Sequence, residues 1–406
     1  TLRQKGGISG FADRKESPYD AFSFGHTGTS ISAGLGLAFA REARGEKGRV
    51  VAVIGDGAIA SGMPLEALNH AGETGRNLLV ILNDNEMSIA PSVGSVARYL
   101  SKVRSSTPYM DIRQEMRDLV ERWHPVLDNL DRLYGRITEG LQSALTPGGL
   151  FVELGFGYYG PVDGHNVGEL VDTLQHIKRI DGPVLLHVLT QKGRGFEPAS
   201  KDPTAFHSSG RFRLENGKIA CSPEAEDGEA EPGRKERRKD GASWSDALGR
   251  CLVQAASENE RVVAVTAAMC HGTGLFEFSE AYPDRFYDVG ICEQHGVGFA
   301  GGLAAGGLRP VVCIYSTFLQ RACDQLFHDI ALQGAPVLFC VDRAGLVGND
   351  GPTHHGLRDV ALFRGLPGFT VMAPADGREL ERMVQLGLEA DGPCAIRYPR
   401  EELPPE

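Results

Sequence analysis

Arg49 to Gly57 reads RVVAVIGDG, and Asn77 to Asn85 reads NLLVILNDN. Each is an unbroken apolar run that stops at a Gly, Asp or Asn turn. Helix-like spacing lies between them, from Pro64 to about Ala71. A strand with one wet face would alternate; unbroken runs indicate burial on both faces, hence a parallel sheet between helices. FVELGF (151–156) and GPVLLHVLT (182–190) read as further strands, and Asp111 to Leu145 as an amphipathic helical stretch. After Ala242 the pattern resumes. RVVAVTAAM (261–269), PVVCIYSTF (310–318), PVLFCVDRAG (336–345), FTVMAPAD (369–376) and PCAIRYPR (393–400) read as five strands. LQRACDQLFHDIALQ (319–333) and GRELERMVQLGLEA (377–390) read as helices. Between the halves, SPEAEDGEAEPGRKERRKDG (222–241) is charged and almost free of apolar residues, as an exposed linker would be. The expectation is therefore α/β, with two domains at 1–220 and 242–406, each a mainly parallel sheet with helices on both faces, joined by a charged exposed linker at 221–241.

Charge and composition narrow the function. The 42 basic and 53 acidic side chains give a formal net charge of −11, which argues against a nucleic-acid partner. No apolar run reaches the roughly 18–20 residues of a membrane helix, so no membrane partner is expected. The 8 cysteines form no C-x-x-C pair, and Cys313 and Cys340 lie inside apolar runs; they read as reduced, buried thiols. The chain opens on Thr1 and closes on LPPE, and both ends read as cut.

Gly55-Asp56-Gly57 closes one buried run, and Asn85 closes the next, 29 positions after Asp56 (85 minus 56). Loops after the carboxyl ends of parallel strands are where such folds bind ligands. Asp56 offers an anionic oxygen and Asn85 a neutral one. With a main-chain carbonyl, water and two phosphate oxygens they would complete an octahedral magnesium site. The glycines would let backbone N–H groups approach a phosphate. Asp-Gly alone is a common turn, and the pairing with Asn85 is what raises it above one.

That pairing resembles the thiamine diphosphate motif. QKGGISGF, GHTGTSISAG, VIGDGAIASGMPLEALNHAG, LVILNDNEMSI, LGFGYYGPVDGH, KGRGFEPA, ICEQH, IYSTFLQRACDQ, DRAGLVGNDGPTHHG and IRYPR together resemble the 1-deoxy-D-xylulose 5-phosphate synthase family of transketolase-like enzymes. The resemblance runs in order from Thr1 to about Arg400 and is weakest over Val96 to Thr146 and in the linker. It implies a diphosphate- and magnesium-binding domain at 1–220 and a pyrimidine-binding domain at 242–406. It further implies that the N-terminal start and a C-terminal third domain lie outside this chain, that the protein is a homodimer, and that it is cytoplasmic, with a plastid origin left open.

The same resemblance implies the chemistry. Pyruvate and D-glyceraldehyde 3-phosphate would condense, with loss of carbon dioxide, to 1-deoxy-D-xylulose 5-phosphate. This is the first step of non-mevalonate isoprenoid synthesis and feeds thiamine and pyridoxal synthesis. Thiamine diphosphate and Mg2+ are the implied cofactors. Asp56, Asn85 and the main-chain oxygen of Met87 would hold the metal. Gly25, His26, Thr27, Gly57 and Ala58 would line the diphosphate. Ile89 would wedge beneath the bent cofactor, and Phe196 and Phe318 would contact its rings. Glu293, in DVGICEQHGVGFAGG (288–302), would hydrogen-bond the aminopyrimidine and favour the tautomer that takes the thiazolium proton. His26, His207 and His354 match proton-handling positions. Arg343 and Arg400 match a phosphate clamp, with Tyr315, Arg321 and Asp350 beside it. The chain departs from the family at Cys270-His271, where an Arg-Glu pair is usual, at Cys292, where Ala is usual, and at Phe196, where Tyr is frequent.

Two alternatives stand beside this reading: another transketolase-like thiamine diphosphate enzyme, and a non-catalytic relative that keeps the fold. A nicotinamide-binding fold is disfavoured, because no G-x-G-x-x-G opens a helix with an acidic residue about 20 positions on.

Overall fold

The computed structural model describes residues 2–3, 6–87, 93–105, 148–204, 206–207, 213–215, 218–220 and 243–404. Ile89, the helical stretch expected over 111–145 and the charged segment 221–241 lie outside them. The chain divides into two compact units, Gly28–Ser200 and Thr1–Thr27 with Lys201–Glu406.

In Gly28–Ser200 the strands are β1 (Val50–Gly55), β2 (Leu78–Asp84), β3 (Gly157–Asp163) and β4 (Val184–Leu189). They pair in the order β1-β2-β4-β3, all parallel. The two runs that suggested the sheet pair in register, from Val50 opposite Leu78 to Gly55 opposite Asn83. Ile31, Leu35, Leu68, Leu82 and Phe151 form the core on one face, under helices Ser30–Ala43 and Gly62–Thr74. Leu79, Val162, Ile177 and Leu186 form a smaller core on the other, beside helix Val167–Ile177. That cover stops short of the edge strand, where Val51 and Val53 are 51% and 60% exposed.

FVELGF is not a strand. Gly149–Glu153 is a helix, and β3 begins only at Gly157. Within it Phe151 is buried while Leu150 and Val152 are exposed, a helical division of an apolar run. The turn that follows reaches the helix Gly62–Thr74, where the main chains of Gly72 and Leu154–Gly155 touch.

The second unit carries β7 (Val262–Thr266), β8 (Phe286–Asp288), β9 (Arg309–Tyr315), β10 (Leu338–Asp342), β11 (Thr370–Met372) and β12 (Cys394–Arg397). The order is β11-β12-β10-β9-β7-β8, again all parallel. Five strands match the expected runs. The sixth, β8, is three residues at the sheet edge. A short antiparallel ribbon, β5 (Arg213–Glu215) with β6 (Lys218–Ala220), precedes them. Every residue of β7 and β10 is buried, as unbroken apolar runs require. Helices Trp244–Glu258 and Gly377–Glu389 line one core, with Leu248, Leu252, Leu380 and Val384; helix Glu293–Ala305 lines the other, with Val297 and Ala300. Ser243 starts Trp244–Glu258 with a reciprocal cap to Asp246.

The stretch read as one helix over 319–333 is instead short α and 3-10 turns followed by a π-helical turn, Leu326–Ala331. Its first turns place Phe318 and Arg321 directly after the carboxyl end of β9. Such departures from α geometry concentrate at functional sites. No helix among the described residues is long and apolar enough to cross a membrane.

Two glycines test the packing. A Cβ on Gly72 would sit 1.6 Å from the Leu154 carbonyl oxygen, whereas one on Gly36, in helix Ser30–Ala43, would meet nothing within 4 Å. Gly72→Ala should destabilise the unit by about 1–3 kcal/mol, the usual cost of overpacking. Gly36→Ala should stabilise it by about 0.5–1 kcal/mol through helix propensity. Urea unfolding followed by circular dichroism would read both; equal effects would contradict this packing.

Candidate active site

In Gly28–Ser200 the register of β1 with β2 decides which residues meet. Both strands run the same way, so their carboxyl ends open at one edge. Asp56, 3% exposed, begins the short helix Asp56–Ile59 directly after β1, with Gly57 and Ala58 behind it. Asn85 directly follows β2, and its N–H lies 3.4 Å from Asp56 Oδ1. The Asn85 side-chain oxygen accepts from the Met87 N–H at 3.0 Å. A carboxylate and an amide oxygen thus meet where two adjoining strands end, and the main-chain carbonyl of Met87 follows two residues after the amide. All are hard oxygen donors, the set magnesium prefers, so the residues present fit that ion. Among the described residues no group of three or more His, Cys, Asp or Glu side chains could hold a metal instead. Lys192, after β4, is near enough to Asp56 to sense its charge; burial lowers the ammonium pKa and Asp56 works against that. Phe196 is 40% exposed and opens the turn into helix Glu197–Lys201. Ile89, the expected wedge, lies outside the described residues.

In the second unit the decisive group is Glu293. The loop between β8 and its helix is tied at several points. Asp288 accepts from the N–H groups of Ala268 at 2.8 Å and Gly290 at 2.9 Å. Val289 donates to Thr266 at 3.0 Å. Glu293 then enters as the first residue of helix Glu293–Ala305, 3% exposed. Its Oε2 is buried without a hydrogen bond among the described residues, and Arg321 Nη1 stands 3.7 Å away. Burial pushes the Glu293 carboxyl up, and Arg321 only partly restores it. A buried carboxyl oxygen left unpaired fits a ligand that brings a ring nitrogen, as an aminopyrimidine would. Arg321 also donates to the Thr27 carbonyl.

The same unit holds an aromatic and imidazole cluster, of which His26 is near enough to Arg321 to sense its charge. Tyr315 and Phe318 stack at 5.6 Å, and His26 and His354 meet Phe318 edge-on at 5.0 and 5.5 Å. Phe11 stacks on His354 at 4.6 Å. His26 Nε2 lies 2.9 Å from both the Thr353 carbonyl and Thr317 Oγ1. A carbonyl can only accept, so the partners assign the proton to Nε2. Burial lowers the His26 pKa, and it lowers that of His354 to about 4. Gly25 sits so close to Thr353 that a Cβ there would fall 2.4 Å from its side chain. His207 is exposed on a turn, with its N–H donating to Thr204 at 3.2 Å.

The expected clamp residues are already engaged. Arg343, with φ of 59°, lies over the Tyr315 ring at 3.7 Å. It donates to Asp342 at 2.8 Å and to the Gly272 carbonyl at 2.9 Å. Burial pushes the Tyr315 hydroxyl up to about 12, so it stays a hydrogen-bond donor. Arg400 donates to Asp350 at 2.6 Å, and Arg3 approaches the same carboxylate at 3.5 Å. A cavity of about 410 Å³ opens beside Arg3, Phe11, Gly25, Asp350 and Thr353. The departure at Cys270-His271 lies against this group: His271 stacks on Phe276 at 4.7 Å, and a Cβ on the adjoining Gly272 would fall 1.9 Å from the Tyr315 oxygen.

Sequence reasoning missed Lys192, Asp288, Asp342 and the pair Asp84 and His187. Asp84, His187 and Asp342 close or interrupt buried apolar strands, and a charged or polar residue at such a position is a signal, although its partner across the sheet is not written along the chain. Asp342 is fully buried, its carboxylate held by Ser245 at 2.7 Å and by Arg343.

Residues 1–190 match the family model described as 1-deoxy-D-xylulose-5-phosphate synthase. Residues 240–406 match the model described as transketolase, pyrimidine binding domain. The chain is 49% identical over 400 residues to 1-deoxy-D-xylulose-5-phosphate synthase 1 of Geobacter sulfurreducens, covering 98% of this chain and 60% of that protein. It is 51% identical over 401 residues to 1-deoxy-D-xylulose-5-phosphate synthase of Thermomicrobium roseum, again over 98% of this chain and 60% of the relative. The chain therefore spans about 60% of the length of these curated relatives. The solved transketolase of Campylobacter jejuni is 18% identical, with a TM-score of 0.39 over 94% of this chain and 62% of that one.

The histidine cluster yields a pH test. His354 is depressed from 6.5 to about 4, so between those values the unfolded chain binds a proton that the folded chain refuses. Its contribution to stability is whole above pH 6.5 and is lost as the pH falls toward 4. Titration of the His354 ring resonance by NMR should give a midpoint well below 6; a midpoint near 6.5 would contradict the burial described.

Proposed function

The chain belongs to the 1-deoxy-D-xylulose-5-phosphate synthase family, and from that premise we propose that it condenses pyruvate with D-glyceraldehyde 3-phosphate, releasing carbon dioxide. The bond between C1 and C2 of pyruvate breaks, and C2 joins the aldehyde carbon of the acceptor to give 1-deoxy-D-xylulose 5-phosphate. The observation that carries this reading is the buried Glu293 carboxyl with its unpaired oxygen at the head of a helix. Thiamine diphosphate, when bound, supplies the electron sink that decarboxylation of a 2-keto acid needs.

The residues then take these roles. Asp56, Asn85 and the Met87 carbonyl hold magnesium, and Gly57 and Ala58 meet the diphosphate. Glu293 shares a proton, through its unpaired oxygen, with the aminopyrimidine ring nitrogen. Gly25, Thr27, Phe196 and Phe318 contact the cofactor. His26, His207 and His354 serve the two carbonyl oxygens. Burial lowers the pKa of His26 and of His354 and so favours the neutral rings: His354 keeps one N–H to donate, whereas His26, its Nε2 proton committed to the Thr353 carbonyl, presents Nδ1 as an acceptor. Arg343 and Arg400 bind the acceptor phosphate, each with N–H donors beyond those committed to Asp342, Gly272 and Asp350. Tyr315, Arg321 and Asp350 border that phosphate site.

Carboxyl-labelled pyruvate tests the assignment. Carbon dioxide release should require added glyceraldehyde 3-phosphate, and Asp56→Ala should abolish magnesium-dependent binding of thiamine diphosphate in calorimetry. Arg400→Ala should raise KM for the aldehyde about 10- to 100-fold, the equivalent of losing a charged hydrogen bond worth roughly 1.5–3 kcal/mol. Sugar-phosphate exchange without carbon dioxide release would favour a transketolase activity, and no cofactor binding would favour a non-catalytic relative.

A further inference from the structure

Behind the turn Asn85–Met87 stands a polar network that the roles above leave unused. Asp84 ends β2 at 1% exposure, and both its carboxylate oxygens are committed. Oδ2 lies 2.9 Å from Nε2 of His187, a fully buried residue of β4. The other ring nitrogen of His187 meets the Tyr158 hydroxyl, on β3, at 2.8 Å. Asp84 Oδ1 accepts from the Glu86 N–H at 3.2 Å and from Arg104 Nη2 at 3.0 Å. Arg104 Nη2 also donates to the Asp84 carbonyl at 2.8 Å, and its Nη1 stands 3.3 Å from Glu86 Oε2.

The turn itself needs holding. Glu86 has φ of 60°, a left-handed conformation that a residue with a Cβ adopts only when its surroundings impose it. Glu86 lies between Asn85 and Met87. If it relaxed to negative φ, the peptide plane between Glu86 and Met87, whose N–H donates to the Asn85 side chain, would rotate. One guanidinium brackets this residue, gripping Asp84 before it and the Glu86 carboxylate. A planar fork with fixed donors suits that task, and a flexible ammonium suits it less.

We propose that Arg104 is a positioning residue for the magnesium site: through Asp84 and Glu86 it fixes the strained turn that presents Asn85 and Met87. His187 and Tyr158 anchor the other side of Asp84, so the turn is held between the sheet interior and the last turn of helix Ser95–Ser105. This rests on the reading that Asp56, Asn85 and Met87 hold magnesium. Arg104 touches none of the reacting groups.

The test uses the intact gene product and follows thiamine diphosphate binding by calorimetry while magnesium is varied. Arg104→Met should raise the magnesium concentration for half-maximal binding about tenfold or more, the scale seen when partners behind metal ligands are removed. Thiamine diphosphate affinity at saturating magnesium should stay near that of the parent protein. Arg104→Lys should recover part of the loss, and Glu86→Ala, at an exposed side chain, should shift the magnesium dependence in the same direction. An unshifted magnesium dependence would overturn the proposal, and so would an equal loss of cofactor affinity at every magnesium concentration, which is what a general structural role predicts. Asp56→Ala separates the two ideas. If it abolishes binding while Arg104→Met does nothing, only the positioning role fails. If it leaves the magnesium dependence intact, the metal site falls, and this role with it.

Discussion

The in-register parallel pairing of β1 with β2 is the constraint on which the proposed magnesium site depends. Gly55 lies opposite Asn83, so the residues just beyond each strand, Asp56 and Asn85, emerge together although 29 positions separate them (85 minus 56). A shift of one residue would turn Ala52 and Ile54 out of the core and carry Asp56 away from Asn85. Burial of the strand therefore fixes the geometry of the oxygen donors. The apolar runs that decide the fold also place the chemistry.

The second sheet works by the same logic with a different group. Its strands deliver Glu293, Phe318, Arg343 and Arg400 to their carboxyl ends, in loops whose main chains are tied by Asp288, Thr266 and Asp342. Glu293 is the costly member. A buried polar atom without a partner costs about 1–3 kcal/mol, which the close-packed helix Glu293–Ala305 and its neighbours must offset. Arg321 at 3.7 Å reduces the electrostatic part without completing a hydrogen bond. The carboxyl is thus kept dry and more basic than usual, the state in which it can share a proton with a nitrogen base.

Much of this was legible in the sequence. The unbroken runs of β2, β4, β7, β9 and β10 showed parallel strands because burial on both faces selects such runs; β1 carries the same run at a sheet edge, where Val51 and Val53 are exposed. FVELGF misled because its apolar residues are shared between a helix face and a core-facing turn. β8 is too short for periodicity to register, and the turns after β9 follow α, 3-10 and π geometry in succession, which one 3.6-residue period cannot express. At the site, Asp56 and Asn85 were visible as polar residues closing apolar runs, and Glu293 through the family resemblance of ICEQH. Lys192, Asp342 and the Asp84–His187 pair escaped because their meaning lies in pairing across strands, which spacing along the chain does not encode.

In the proposed reaction Glu293 acts through its unpaired oxygen on a bound aminopyrimidine. Exchange of the thiazolium proton of bound thiamine diphosphate for deuterium, followed by NMR after acid quench, measures that action without either substrate. Glu293→Gln should slow the exchange by about 10²-fold or more while the cofactor still binds, the scale of a positioned proton-transfer group. An exchange rate equal to that of the parent protein, with the cofactor bound in both, would contradict the account.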